Sequence, residues 1–336
     1  MITSVPDILS GLHRQQNNFA LRQRLETASQ ELASGRKSDL IEASGGDLAR
    51  LHAIEAGLSR LTAGADRLKM AEGRAGMTQE ALGRFADAAG AHGAALLGDV
   101  GLGDVASART RAAGARSAFE AAVNAINTRY AGRSLFAGAA TDTDALAPPD
   151  QILSEVSAAI AGAPDVPTAL AAIDFYFNDP AGGFATSAFQ GAAIDAPDVD
   201  LGDGQRLSYA ERGDSAAVRE MLQGLATLVM GNESALGQAS SLNEMAFYRD
   251  GATRVVSAQD AVTDARALLG VAEARIADAA TANAAEASAL DLMRSRLLAR
   301  DPYEAASEFQ ALESQMQSLY AATARLAGLS LTNYLR

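Results

Sequence analysis

The stretch that decides the fold is residues 51–90, LHAIEAGLSRLTAGADRLKMAEGRAGMTQEALGRFADAAG. Apolar side chains recur in it every seven residues, with further apolar positions three or four residues away. Such spacing over this length is typical of long helices that pack at shallow angles. The row and its interleaved positions are Ile54, Leu61, Leu68, Ala75, Leu82, Ala89 and Leu96, with Leu51, Leu58, Ala65 and Ala86 between them.

A second row of the same kind lies towards the C-terminus. Neither row can bury its apolar seam alone, so we expect residues 46–138 to pack against residues 240–298. Glycines at 98, 101 and 103 predict a break in the first half. The second row is Val255, Val262, Leu269, Ile276, Asn283, Leu290 and Leu297, with Ala258, Ala265, Ala272, Ala279 and Met293 alongside.

Residues 139–239 differ in composition from both rows. Six of the eight prolines lie between 148 and 197, and residues 139–240 carry 15 acidic and 3 basic side chains. This composition predicts a separate, solvent-facing acidic insert domain. Within it we expect helices at 150–162, 165–178 and 214–231, and strands at 186–192 and 205–210. The predicted fold is therefore mainly α, a long heptad-patterned bundle or coiled-coil rod built from both halves, with a small mixed α/β insert.

The two chain ends each predict one amphipathic helix, at 1–45 and 299–336. Pro6 suits a first helical turn, and Gly35 suits a C-cap. Asp301 and Pro302 are typical of a helix start, and Gly328 is expected to end that helix. Neither stripe has an obvious local partner, so we expect the end helices to meet each other or neighbouring copies, and to be labile in the free subunit. The candidate assembly residues are Leu12, Phe19, Leu25, Leu32, Phe309, Leu312, Met316, Leu319, Leu326, Leu331, Tyr334 and Leu335.

Composition excludes several classes of function. The absence of cysteine rules out disulfides and thiolate sites, and the net charge of −13 argues against nucleic-acid binding. His13, His52 and His92 lack metal-ligand spacing. No nucleophile–base pair or cofactor fingerprint occurs, so we predict a non-enzymatic protein without cofactor or metal.

Two stretches, one acidic and one rich in glycine, have an alternative interpretation as ligand-binding loops. The run from Asp195 to Asp203 suggests calcium, but an EF-hand loop begun at Asp198 would need ligands where Gly202 and Tyr209 stand. A solvated turn is the better interpretation. The glycines at 98–103 lack the lysine of a phosphate-binding loop.

The N-terminal residues show no basic segment followed by an apolar one, and no apolar run approaches ~18 residues. We therefore expect neither a cleavable secretory signal nor a membrane-spanning helix.

Four segments resemble the flagellin superfamily, and within it the hook–filament junction type. They are LASGR (32–36), which is similar to the family's helix-ending SGxR pattern, NTRYAGRSLFAG (127–138), FQG (189–191) and LSLTNYL (329–335). The resemblance covers roughly 1–138 and 240–336, and LFAG and NYL are its most specific parts. Where the family has a paired aspartate after the first motif, this chain has Ser44-Gly45-Gly46-Asp47, and the aspartate after FQG is replaced by Ala192.

The resemblance implies a self-assembling structural subunit of the bacterial flagellum. It would be exported without a cleavable signal, assemble on the first hook-associated protein and seat flagellin. It implies an export chaperone on the C-terminal helix, and an extracellular location. Filament flagellin is the alternative within the family. From the residues alone, a soluble cytoplasmic coiled-coil adaptor is the alternative of a different class.

Overall fold

The computed structural model describes the backbone of residues 5–43, 45 and 48–334, and the side chains of these except 5–11, 14, 42 and 326–334. It is 75% helical, which confirms the mainly α prediction. Two small antiparallel sheets of two strands each complete the described fold. No helix in this part of the chain combines the length and apolar character that crossing a membrane requires.

Long helices lie near both ends of the chain, and short elements lie between them. The helices are α1 (Val5–Ser34), α2 (Leu40–Ala43), α3 (Leu48–Gly90), α4 (Ala94–Leu102), α5 (Val105–Ala112), α6 (Ala115–Ile126), α7 (Pro149–Ile160), α8 (Val166–Asn178), α9 (Ala216–Glu233), α10 (Ala235–Gln238), α11 (Ser241–Leu298) and α12 (Pro302–Tyr334). The strands are β1 (Arg129–Tyr130), β2 (Arg133–Ser134), β3 (Val199–Gly202) and β4 (Gln205–Leu207).

The chain divides into two compact units. The end unit comprises the residues up to 63 together with those from 284 onward, and the mid-chain unit comprises residues 64–283. The boundary cuts both long heptad-patterned helices, so α3 and α11 each supply residues to both units.

Within the mid-chain unit α3 and α11 run antiparallel, as their matched rows predict. Gly64 faces Asn283, Gly83 faces Arg266 and Gly90 faces Gln259. Buried side chains of both helices join one apolar core, including Leu68, Leu82, Phe85, Val255, Val262 and Ile276. The two sides of the chain therefore share a core.

The acidic segment 139–239 is not separate from this core. Its helix α9 packs along α6, and residues 221–230 of α9 are all buried. The negative charge lies elsewhere in the segment, since α9 carries its acidic residues only at Glu220 and Glu233. The average composition of the segment did not indicate that one of its helices, α9, is apolar and buried in the core. Deleting 139–239 would therefore remove part of the core of the mid-chain unit.

Helix predictions within the segment are confirmed by α7, α8 and α9, whereas the strand at 186–192 is wrong. Residues Phe184–Ala188 form one π-helical turn, because Phe184 and Ala188 are both buried and the hydroxyl of Thr186 bonds back to the Gly182 carbonyl at 2.9 Å. Only Phe189 makes a strand-like bridge, with Leu146. The strand predicted at 205–210 exists as the shorter β4.

Two glycine-based predictions also need correction. Gly98 and Gly101 lie inside α4, and only Gly103, with φ of 73°, ends that helix. Buried Leu96 and Val100 hold α4 in place against the ~1 kcal/mol that each glycine costs. Likewise the backbone of α12 continues past Gly328 to Tyr334.

The run from Asp195 to Asp203 forms part of the β3–β4 hairpin. Asp203 and Gly204 occupy its turn with φ of 51° and 76°. Asp195 pairs with Arg212 at 3.2 Å. Among the described residues, no three His, Asp or Glu side chains come together as metal ligands do.

The two motifs LFAG (135–138) and FQG (189–191) pack against each other. The amide of Ala192 donates to the Ala137 carbonyl at 3.0 Å, and the amide of Ala139 donates to the Ile194 carbonyl at 2.9 Å. A Cβ on Gly138, which has φ of 60°, would lie 2.4 Å from the Ile194 oxygen. The approach of the two segments therefore requires glycine at 138.

Asn127, at the start of the segment 127–138, binds the backbone of Leu146 through its side chain. Its amide group donates to the Leu146 carbonyl at 2.9 Å, and its oxygen accepts from the Leu146 amide at 2.8 Å. Both polar groups of one backbone unit are thereby satisfied by a single side chain. The most specific part of the resemblance thus has a structural role in holding 139–194 to the helices.

Gly138→Ala is expected to destabilise the mid-chain unit more than Gly132→Ala. Both glycines have positive φ, which costs alanine about 1–2 kcal/mol. No atom lies within 4 Å of a Cβ at Gly132, whereas Gly138 adds the carbonyl clash, worth about 2 kcal/mol more. Urea unfolding of the two variants measures the difference. Equal losses of stability would contradict the account of the motif.

A buried carboxylate links α5 to α11. Arg109 donates to both oxygens of Glu244, at 2.8 and 2.6 Å, and the Tyr248 hydroxyl donates to Glu244 at 2.7 Å. The hydrogen bonds from Arg109, opposed by burial, hold the pKa of Glu244 below its ordinary value of 4.5. Burial, together with this carboxylate, raises the pKa of Tyr248. The cluster stabilises the fold when Glu244 is ionised.

Glu244→Gln should therefore lower stability by about 1–2 kcal/mol at pH 7. Because the folded-state pKa lies below the unfolded value, the stabilisation is complete above about pH 4.5 and is lost as the pH falls through the folded pKa. Urea unfolding of both proteins from pH 7 to pH 3 should show the difference shrinking at the acidic end. A difference that does not depend on pH would refute the role of the charge.

Candidate assembly surface

Helices α1 and α12 pack along each other within the end unit. The guanidinium of Arg22 donates to the Tyr320 hydroxyl at 3.0 Å and lies 6.0 Å from the centre of its ring. At the other end of α1, the Gly35 carbonyl accepts from the Arg300 amide at 3.0 Å. The order of these contacts shows that the two helices run antiparallel.

The segments that follow α1 and precede α12 are joined by backbone hydrogen bonds. Gly35, with φ of 66°, ends α1 as predicted. Beyond it the Lys37 amide donates to the Leu298 carbonyl at 2.8 Å, and Arg36 pairs with Ala299 as in an antiparallel sheet. The first motif of the resemblance therefore fixes where the two end helices meet.

A buried ion pair reinforces this junction. Arg300 lies 3.5 Å from Glu31, and their side chains are only 12% and 13% exposed. The same carboxylate accepts a hydrogen bond from the Ser38 amide at 2.6 Å. A buried charge pair stabilises the fold only when its remaining polar atoms also have hydrogen-bond partners. The Ser38 amide is such a partner for the Glu31 carboxylate.

The start of α12 is built as its sequence predicts. The Asp301 carboxylate accepts from the amides of Tyr303 and Glu304, at 2.8 and 3.3 Å, and Pro302 is the first helical residue. These bonds satisfy amide groups that a helix start leaves without partners.

The predicted stripe of α12 is the covered face of that helix. Leu312 and Met316 are 7% and 8% exposed, and Ala305 is 2% exposed. Phe309 and Leu319 are half-buried. Their spacing of three and four residues places them along one side of the helix, where α1 lies.

The predicted stripe of α1 is only partly on its covered face. Leu25 is half-buried and Ala28 is buried, but Leu12, Phe19 and Leu32 are 52%, 64% and 40% exposed. A helix turns by about 100° per residue, so Leu12 and Phe19 point away from the side marked by Leu25. These two residues therefore do not face the α12 stripe of the same chain.

The remaining candidates lie outside the described residues. Leu326, Leu331 and Tyr334 belong to α12, but their side chains are not described, and Leu335 lies beyond the described backbone. Sequence reasoning missed the Arg22–Tyr320 and Glu31–Arg300 contacts, because no local spacing links residues from opposite ends of the chain. The half-buried Leu21 was also missed.

Histidine does not add a chemical site. His13 and His52 are exposed on helices, while His92 is buried beside Gly114. Burial holds the pKa of His92 below its ordinary value, so this side chain is neutral at pH 7. The outer side of α1 therefore presents the exposed apolar side chains of Leu12 and Phe19, which suits association.

Comparison with known families agrees with this geometry. Residues 253–335 match the family model of the bacterial flagellin C-terminal helical region. This range takes in most of α11 and all of α12. The match to the flagellin region supports a place in the flagellin superfamily and a flagellar structural role, and it points to a non-enzymatic protein. No curated protein matches the chain.

Leu312→Asp should release α12 from α1 without unfolding the mid-chain unit. A charge at a 7%-exposed position cannot stay buried without a partner, so the flagellin-like helix would separate. Ala311→Asp, on the exposed side of the same helix, is the matched control. Hydrogen exchange should become faster in 302–325 for Leu312→Asp only, with no change in 216–233. Faster exchange in both 302–325 and 216–233 would show that the α1–α12 pair does not unfold independently of the mid-chain unit.

Proposed function

We propose that this protein is a structural subunit of the bacterial flagellum that self-assembles at the hook–filament junction and seats flagellin. The observation that carries the flagellar role is the flagellin-type helical region at 253–335. The junction role rests on a finer resemblance, that of the segment ending in LFAG, and the FQG segment is a weaker signature of the family. Their mutual packing supports treating them as one structural feature.

The surface proposed for self-assembly is the outer side of α1. Leu12 and Phe19 are seven residues apart and both are more than half exposed. Complete burial of such a side chain contributes about 1.5–3 kcal/mol, so contact with a neighbouring copy would gain stability that the free chain lacks. The other proposed contacts are the first hook-associated protein on one side and flagellin on the other.

The covered stripe of α12 supports a proposal about export. A chaperone that binds Leu312 and Met316 would compete with α1, because the folded chain already buries both side chains. We therefore propose that the chaperone holds α12 before the end unit folds. Pairing with α1 would then replace the chaperone after export, and the mature protein would be extracellular.

Deletion of the gene, followed by electron microscopy, distinguishes the junction subunit from filament flagellin. Hooks without filaments, with flagellin released into the medium, support the junction subunit. Filaments absent with no flagellin in the medium support filament flagellin. Normal filaments contradict both and would favour a cytoplasmic adaptor, which should also remain inside the cell.

Replacing Leu12 and Phe19 by glutamine should abolish assembly but leave the monomer intact. Exposed side chains contribute little to the stability of the free chain, so its helical circular dichroism and unfolding midpoint should match the wild type. Leu268→Gln with Phe175→Gln is the matched control, since these residues are 73% and 54% exposed in the mid-chain unit. The measurements are sedimentation of the assembled protein and swimming of the complemented strain. Wild-type assembly by the Leu12/Phe19 variant would refute the proposed surface.

A further inference from the structure

We propose that the mid-chain unit binds a neutral oligosaccharide in the cleft between α3, the β1–β2 hairpin and the segment that leads into β3. The cleft has a volume of about 680 Å³, within the usual range of about 300–1,000 Å³ for small-ligand sites. It is open to solvent along one side. This site is independent of the assembly surface on α1, so either proposal can fail without the other.

The floor of the cleft is apolar and its walls carry two tyrosines. Ala71, Leu135 and Val199 are buried beneath it, and the rings of Tyr130 and Tyr209 are half-buried at its sides. A half-buried ring offers a flat apolar surface and a polar tip in one place. Such walls suit a ligand that has both apolar and polar faces.

One tyrosine is held in place by a close backbone contact. A Cβ on Gly73 would lie 2.2 Å from the Tyr130 hydroxyl, so the glycine in α3 leaves the space that the phenol occupies. Burial raises the pKa of Tyr209, so its hydroxyl keeps its proton near neutral pH. The Tyr130 ring is therefore a preformed part of the cleft, and the Tyr209 hydroxyl is a neutral donor at its side.

The rim of the cleft has balanced charge. Three guanidinium groups supply donors and three carboxylates supply acceptors, so an anion and a cation are each attracted by three groups and repelled by three. A neutral ligand that both donates and accepts hydrogen bonds avoids this conflict. The rim residues are Arg67, Arg74, Arg133, Asp66, Asp198 and Asp200.

Most of this hydrogen-bonding capacity is available. Arg67 and Asp200 lie 4.0 Å apart with side chains 53% and 51% exposed, which makes a weak pair. Within the described part of the chain, the side chains of Arg133, Asp66 and Asp198 have no hydrogen-bond or ion-pair partner. A ligand can engage these groups without breaking a strong internal contact.

A sugar matches this arrangement better than a peptide does. Each sugar hydroxyl both donates and accepts, and the C–H face of a pyranose ring is an apolar surface that packs on aromatic rings. Peptides are usually held by an added strand, by a groove for a helix or by a proline-binding aromatic groove. Here the strands β1 and β2 have only two residues each, and rim charges alternate instead of leaving an apolar groove.

Saturation-transfer NMR on the full-length monomer tests the proposal. The probes are N,N′,N″-triacetylchitotriose, maltotriose and cellotriose, with the neutral capped peptide acetyl-Gly-Ser-Gly-Ser-amide as the non-sugar probe. We expect transfer to ring protons of at least one trisaccharide and none to the peptide. Binding of the peptide alone, or of no trisaccharide, overturns the proposal.

Two double variants show whether the sugar occupies this cleft. Asp198→Asn with Arg133→Gln removes one charge of each sign from the rim, and neither side chain has a partner that the fold needs. Asp203→Asn with Arg206→Gln makes the same changes on the nearby β3–β4 hairpin, outside the cleft. The rim variant should weaken trisaccharide binding at least about tenfold, as expected when hydrogen bonds to charged groups are lost. Equal binding by the rim and hairpin variants would overturn the assignment to this cleft.

Discussion

Every long helix of this protein depends on another helix to cover its apolar side. Helices of this length with an apolar stripe are not stable alone in water, because the stripe stays hydrated and each ordered residue costs conformational entropy. The chain meets this requirement three times, with α3 against α11 in the mid-chain unit, α6 against α9, and α1 against α12. Each pairing joins segments far apart in sequence.

The third pairing carries the proposed assembly surface. It buries Ala28, Leu312 and Met316, whereas α1 keeps Leu12 and Phe19 exposed on its outer side. One side of α1 covers the flagellin-like C-terminal helix, and the other side is free for a neighbour. The proposed assembly therefore needs no rearrangement of the pair, only burial of the side that the free chain leaves in water.

The fold was largely readable from the sequence because heptad spacing and helix caps act locally. The rows around Leu68 and Val262, the cap at Asp301 and the stop at Gly35 were all predicted and observed. The helix α9 was placed correctly but assigned to a separate insert, since average charge says nothing about which residues inside a segment are buried. The strand predicted near 186 failed because alternation over a few residues cannot be told from one buried helical turn.

The candidate site was predicted less completely, for a physical reason. Spacing identified the covered stripe of α12, but the side of α1 that faces it depends on the rotation of that helix, which contacts such as Arg22 with Tyr320 set. Those contacts join residues from opposite ends of the chain and leave no local pattern. The carbohydrate cleft was not anticipated at all, since it forms where three distant segments meet.

Hydrogen exchange on the free and the assembled protein tests the central claim most directly. The account predicts that assembly slows exchange in residues 12–34 of α1 and in residues 302–325 of α12. Residues 216–233 of α9, already buried in the free chain, should not change. Slower exchange confined to residues 139–239, with both end helices unaffected, would contradict the claim that the paired ends form the assembly surface.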